Sequence, residues 1–528
     1  MIHRFLLAAR PKNPLHHGLL PVAVVLAISG TSCTPEMKDA ATASERSPLE
    51  VSRQSKLVSS DRTPGDSLGS GVSIDSDTAA VGAFLAPVGG LPQAGAVYVF
   101  VRASSEWAEQ AKLTAMDAAT LDNFGSALAI DGDTAIIGAP QKDKQQGSAY
   151  VFVRSGTKWS QQAKLRADGT VSGDYFGSAV GLKGDTALVG ISNPDRNMAY
   201  VYVRTGTTWS EQARIAPSDG KAGDYFGAAV ALDTDTALIG APGRLIGTNT
   251  SPGRAYVYAR AGNVWSEQAK LAIADGAADD RYGLAVALSG DTAVIGAYRR
   301  AIGNNARQGE AYVYARSGTS WSEQARLRAS DGAADDRFGI AVAVGGDIAV
   351  IGAEHATVGD HTGQGAAYVF SRSGGTWSEF MRLTAQAGLS DDAFGRAVAV
   401  GASGNPVVVG AYARMTNNNL LQGEAYVFAA QPQAEGEACT EGVECASGTC
   451  TNNLCAPVTQ VVADMGSASS TPDGSQVFVV GAGYGTLGCS VCAAGARAAG
   501  RADHRGLVGA LGLLPLLLFR RRRNVGRA

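Results

Sequence analysis

Cysteine is nearly absent from this chain. Seven occur in 528 residues, and none lies between Cys33 and Cys439. The long middle of the chain therefore folds without disulfides or thiolate metal sites. Histidine is scarcer, six in all, and only His355 and His361 fall in that middle region, both in one loop where solvent exposure is expected. No nucleophile elbow, HExxH or Ser/His/Asp set appears, which removes the common hydrolase signatures. There is no P-loop, RNA-binding or zinc-finger pattern, and the formal net charge is −3, so no nucleic-acid partner is implied. A membrane helix needs about 20 apolar residues. The C-terminal apolar run, 506–519, stops at 14.

What is plentiful is glycine, 67 residues, and much of it is periodic. An aromatic–Gly step recurs with its glycine at Gly69, Gly125, Gly177, Gly227, Gly283, Gly339 and Gly395, at intervals of 56, 52, 50, 56, 56 and 56 residues. Self-similarity at this period marks a repeat architecture. Each copy carries four short β patterns: an Ala/Gly/Val segment after the glycine (179–182), Thr-Ala-x-x-Gly (134–138), Ala-Tyr-Val-Phe (149–152) and a Trp-to-Leu segment (159–165). Turn residues such as Gly184-Asp185 separate them. Four strands in each of seven repeats predict an all-β fold, a seven-bladed β-propeller of four-stranded blades over 51–430. The shortening of repeats two and three falls between strands two and three, so one loop absorbs the variation.

Closure is legible too. Repeat seven ends at Tyr426-Val427-Phe428 without a Trp strand; the six tryptophans belong to the other repeats. Lys56-Leu57 precedes Gly69 by the same interval as Lys112-Leu113 precedes Gly125. The N-terminal strand 51–57 is therefore expected to complete the last blade and remove two open sheet edges.

The remaining segments read as sorting and linking elements. Residues 1–33 have the charged, apolar and small-residue layout of a secretory signal. Cys33 follows Ser29-Gly30-Thr31-Ser32 and is a lipidation candidate; the alternative is an ordinary signal peptide cut nearby. Residues 34–50 read as a flexible tether. In 437–457, Cys439, Cys445, Cys450 and Cys455 form an even cluster that reads as two disulfides with three possible connectivities. Zinc is the rival, disfavoured by an oxidising compartment and the lack of CxxC in the cluster. A linker, 458–487, leads to 488–528. There Cys489 and Cys492 precede the apolar run, read as a hydrophobic helix, and Arg520–Arg523.

The repeats resemble FG-GAP repeats, the units of the integrin α-subunit propeller. FG stands at Phe124-Gly125, Phe176-Gly177, Phe226-Gly227, Phe338-Gly339 and Phe394-Gly395, with Tyr282-Gly283 and Leu68-Gly69 as variants. GAP stands at Gly138-Ala139-Pro140 and Gly240-Ala241-Pro242. The resemblance implies a seven-bladed propeller used for binding, often adhesion. The integrin-type DxDxDG calcium loop is missing: the first hairpin, as in Asp131-Gly132-Asp133-Thr134, is too tight to wrap a cation that takes six to eight oxygens. No cofactor is expected, with calcium elsewhere left open. The 488–528 segment resembles the MYXO-CTERM sorting tail of myxobacterial surface proteins, which implies transfer to the cell surface and removal of the tail; membrane attachment through a terminal anchor is expected.

An aspartate stands three residues before each periodic glycine: Asp66, Asp122, Asp174, Asp224, Asp280, Asp336 and Asp392. The plain reading is that each accepts backbone N–H groups and fixes the turn into strand one. The functional reading is a cation or basic ligand where extra acids gather. The candidates are Asp275, Asp279 and Asp280 in one blade and Asp331, Asp335 and Asp336 in the next. The expected function is an exported, monomeric, non-enzymatic surface propeller that binds a surface or matrix protein or glycan. A structural envelope protein without a specific ligand, and a carbohydrate-active enzyme on a propeller, are the alternatives.

Overall fold

A computed structural model describes residues 51–104, 106–243, 252–415 and 421–430, with the strand backbone at 450–451 and 454–455. Seven four-stranded antiparallel sheets form the blades of a propeller. Blade 2 is representative: Ala127–Asp131, Thr134–Ala139, Ser148–Ser155 and Lys158–Leu165 pair in sequence order. The first strands of neighbouring blades pack against one another all the way round, so they line the axis. In blade 2 the second strand is wholly buried, whereas the fourth alternates toward solvent.

Crowding at the axis selects the residues. The glycine ending strand two meets the backbone of the next blade. A Cβ on Gly138 would collide with the carbonyl oxygen of Gly177, and the same collision awaits at Gly410 against Gly69, across the closure. Outside this contact the FG aromatic is fully buried. The Phe124 ring packs edge-on against Tyr150 at 5.6 Å and Phe152 at 6.0 Å.

At larger radius, hydrogen bonds set the angle between blades. The fourth strand of blade 2 carries a bulge at Gln162, between the residues paired with Val151 and Phe152. The bulged Gln162 accepts from the indole N–H of Trp209 in blade 3 at 2.8 Å. The same bulge-to-Trp bond links Gln110 to Trp159, Gln212 to Trp265, Gln268 to Trp321 and Gln324 to Trp377. A bulge re-aims a side chain that a regular strand would direct elsewhere. On the rim of the first hairpins, Arg154 donates to Asp133 at 2.6 Å and lies over Trp159 at 5.2 Å. It also donates to Thr78 of blade 1 at 3.0 Å. The hairpin aspartate thus does more than build a turn; it orients an arginine that reaches the neighbouring blade.

Blade 7 is assembled from both ends of the propeller sequence. Val51–Leu57 pairs antiparallel with Glu424–Ala430, with Lys56 opposite Tyr426. This is the register expected from the sequence. Buried Glu424 anchors the arriving strand: it takes Lys56 at 3.0 Å, Arg62 at 3.0 Å and the Tyr426 hydroxyl at 2.7 Å. Further along, strands Cys450–Thr451 and Leu454–Cys455 pair with Cys450 opposite Cys455. The side chains of the four-cysteine cluster, the two terminal sorting segments and both linkers lie outside the described residues.

Two substitutions test these contacts. Gly138→Ala forces a methyl into a neighbouring carbonyl and should cost about 3 kcal/mol in chemical denaturation. Glu424→Gln should cost about 2 kcal/mol at neutral pH, a figure reduced because Lys56 and Arg62 are part-exposed. Burial pushes the Glu424 carboxyl up, but the bonds from Tyr426, Lys56 and Arg62 outweigh it and hold the group below the usual range. Its contribution is therefore full above the ordinary glutamate pKa and lost as pH falls through the folded value. The gap between wild type and Glu424→Gln should narrow below about pH 4.

Candidate functional site: the axial mouth and its rim

Strand one begins and strand two ends at the same end of each blade, so FG turns, blade-to-blade links and strand two-to-three loops share one rim. The seven periodic aspartates stand there. Each accepts the backbone N–H three residues upstream at 2.7–2.8 Å. All but Asp224 are buried. In four blades a loop cation also reaches in: Lys142 to Asp122, Arg196 to Asp174, Arg300 to Asp280 and Arg414 to Asp392. The turn role accounts for every copy.

The candidate acids are engaged by cations of the fold or by the turn itself. Asp275 pairs with Arg300 at 2.7 Å and Arg326 at 3.1 Å, and Asp279 with Arg281 at 2.7 Å and Arg299 at 2.6 Å. Asp331 accepts from Tyr368 and Arg382, both at 2.8 Å, and Asp335 pairs with Arg307 at 2.6 Å. Asp280 and Asp336 are the buried turn residues. Among the described residues no three His, Cys, Asp or Glu side chains gather as a metal-binding group. His355 and His361 are exposed in the loop that contains them.

At two places on this rim the local charge has the sign opposite to that suggested by the aspartates. Two acids near the axis are each shared by two arginines. Asp279 serves Arg281 and Arg299. Buried Glu354 takes Arg337 at 3.0 Å and lies 3.6 Å from Arg396. Each set is left with one positive charge. The residue before every FG aromatic is left-handed, φ +51° to +60°, and those positions hold Tyr175, Tyr225, Arg281 and Arg337 as well as smaller residues. L-residues pay about 1–2 kcal/mol for that conformation.

Beside Arg396 a cavity of about 250 Å³ opens, lined by Ser70, Phe84, Ser126, Arg396 and Tyr412 from blades 7, 1 and 2. Arg396 and Ser126 follow the FG glycine, and Phe84 and Tyr412 follow Gly-Ala. These positions vary from blade to blade within a fixed frame. That variation is the signal the sequence offers for the cavity, and the invariant aspartates carry none of it.

Three of the strand two-to-three loops share one turn. Val88 bridges Leu91, Ile302 bridges Asn305 and Val358 bridges His361. Their bases hydrogen-bond to the next FG turn, as Gln308 does to Phe338 at 2.8 Å. Their tips remain in solvent: Gly89, Gly90, Gly303 and Gly359 have open space around them. Residues 244–251 and 416–420 of two further loops lie outside the described residues.

Among the described residues Asp336 has no cation like the one Arg300 supplies to Asp280, and burial pushes its carboxyl up. The raised folded value means that its contribution is full below the unfolded pKa and lost as pH rises through the folded one. At pH 7, Asp336→Asn should be within about 1 kcal/mol of wild type, because the amide oxygen still accepts the Ala333 N–H. Asp280→Asn takes one carboxylate from the half-buried Arg300, which keeps Asp275, and should cost about 2 kcal/mol. Thermal unfolding of the two variants side by side measures the contrast.

The family described as FG-GAP repeat matches seven segments: 51–100, 107–152, 159–203, 209–258, 265–314, 321–370 and 377–428. Each segment takes the fourth strand of one blade and the first three of the next, in order round the ring. No curated protein matches the chain.

Proposed function

The chain belongs to the FG-GAP repeat family, and on that premise we propose that it is a non-enzymatic binding protein of the cell surface. Propellers of this kind are typically protein-binding. In this reading the chain is exported by its N-terminal segment, held at the surface by a terminal anchor, and works as a monomer in adhesion or matrix contact. The partner is a surface or matrix protein or a glycan, engaged by the rim that carries the axial mouth.

The observation that carries the reading is the division of labour between framework and rim. Contacts between blades repeat almost unchanged, while loop length and the residues beside FG and Gly-Ala vary on one face. Loops that vary on a rigid scaffold are where binding residues concentrate. The acids on that face support a non-catalytic role, because their charge is taken up by arginines and turn N–H groups.

Replacing loop tips 302–305 and 358–361 with Gly/Ser of equal length tests this. Binding to immobilised surface and matrix preparations from the source cells should fall at least about tenfold, with the thermal midpoint unchanged. Undiminished binding by the double-loop variant would remove the loops from the contact. Absence of binding by the wild-type chain would favour a purely structural envelope protein.

A further inference from the structure

The exposed large apolar side chains are not spread evenly. Eight such residues stand out among the described residues: Leu91, Met116, Leu121, Val171, Val264, Leu389, Met415 and Leu421. Val264 lies in an outer hairpin at the opposite end. The other seven lie on the face that carries the axial mouth, in loops of blades 7 and 1 or in the links from blade 6 to 7, 1 to 2 and 2 to 3. The same sector holds the cavity beside Arg396. Clustered exposed apolar groups with a polar centre have the composition of a protein-docking surface.

Arg396 is equipped to bind an anion. Its guanidinium stands 3.6 Å from Glu354, whose other oxygen is taken by Arg337 at 3.0 Å. Among the described residues that guanidinium makes no hydrogen bond; its Nε faces Glu354 and its two outer amino groups stay available. The hydroxyl of Ser126 on the cavity wall is buried and without a partner. Phe84 and Tyr412 supply aromatic wall. A cavity of about 250 Å³ is smaller than ordinary small-molecule sites, about 300–1,000 Å³. It suits one side chain or one chain end. A run of sugar rings needs a groove, and the surrounding leucines and methionines offer it few hydrogen bonds.

We propose that this sector docks a polypeptide segment that places one carboxylate, from an acidic side chain or a chain terminus, against Arg396 and Ser126, with apolar neighbours on the Leu/Met rim. The proposal deepens the binding reading above and rests on it, since it names the chemistry of the partner.

The test uses the full chain and fluorescent peptides in polarisation titrations at low and physiological salt. The probes are a leucine-flanked glutamate peptide, its glutamine counterpart, and an acid-free peptide with either a free or an amidated C-terminus. The glutamate or the free-terminus peptide should bind about tenfold more tightly than its neutral counterpart; which of the two does so identifies the carboxylate source. Arg396→Gln should abolish the difference. Arg396→Lys, which keeps the charge and loses the fork, should fall between. Arg396 is exposed and Glu354 keeps Arg337, so the thermal midpoint should not move. Equal affinity for charged and neutral peptides overturns the proposal. So does a difference that survives Arg396→Gln, or Arg396-dependent binding of oligouronates in place of peptides. If the chain binds matrix and Arg396→Gln leaves that binding intact, this inference fails and the general reading stands. If peptides bind as expected and matrix does not, the reverse holds.

Discussion

Seven chains of backbone must converge on one axis, and glycine contact between neighbouring blades is what permits it. Wherever strand two ends, a missing side chain lets one blade's Cα approach the next blade's carbonyl. That approach fixes the inner radius. Everything farther out then has a set distance to bridge, and the chemistry grows with radius accordingly. Buried FG aromatics fill the first gap, packed edge-on against the third strand of their own blade. The Gln-to-Trp and Arg-to-Thr bonds span the wider outer gap, where hydrogen bonds hold angle as well as distance.

The seventh blade departs from this scheme at both of its seams. Ile348 of blade 6 stands where blades 1 to 5 have the threonine that accepts the arginine, and Ala430 stands where blade 7 would supply that arginine. Phe380 occupies the bulge that holds glutamine elsewhere, and Val51 occupies the tryptophan position. At the seam between blades 6 and 7 the sequence thus lacks both members of each polar pair. The arriving strand also lacks a bulge at Gln54, which bonds instead to Thr384 and Gln386 in the link from blade 6. Closure relies on backbone pairing and the Glu424 cluster in place of the lateral bonds used by the other blades.

The frame was open to reading from sequence because it is written seven times. Repetition turned weak strand signals into a strong one, and the Lys56–Tyr426 register followed from counting. The outward charge of the rim could not be read in the same way. Asp275, Asp279, Asp331 and Asp335 look like a ligand set until Arg281, Arg299, Arg307, Arg326 and Arg382 are placed beside them, and those arginines come from strands and loops that only the fold brings near. The hairpin aspartates read as turn residues for the same reason: the Arg154 that each copy needs lies two strands away. What differs between blades, such as Arg396 or Tyr412, carries no periodic signal.

The Gln-to-Trp contact has a direction. Every blade from the second to the sixth offers tryptophan backward to its predecessor, and every blade from the first to the fifth offers glutamine forward. A unit copied within that run would arrive with a matching face on each side, like one more link in a chain of hooks and eyes. Nothing in those local contacts counts to seven. The number of units is decided where the hooks are missing, at the place where the two ends of the propeller meet and the circle has either closed or not.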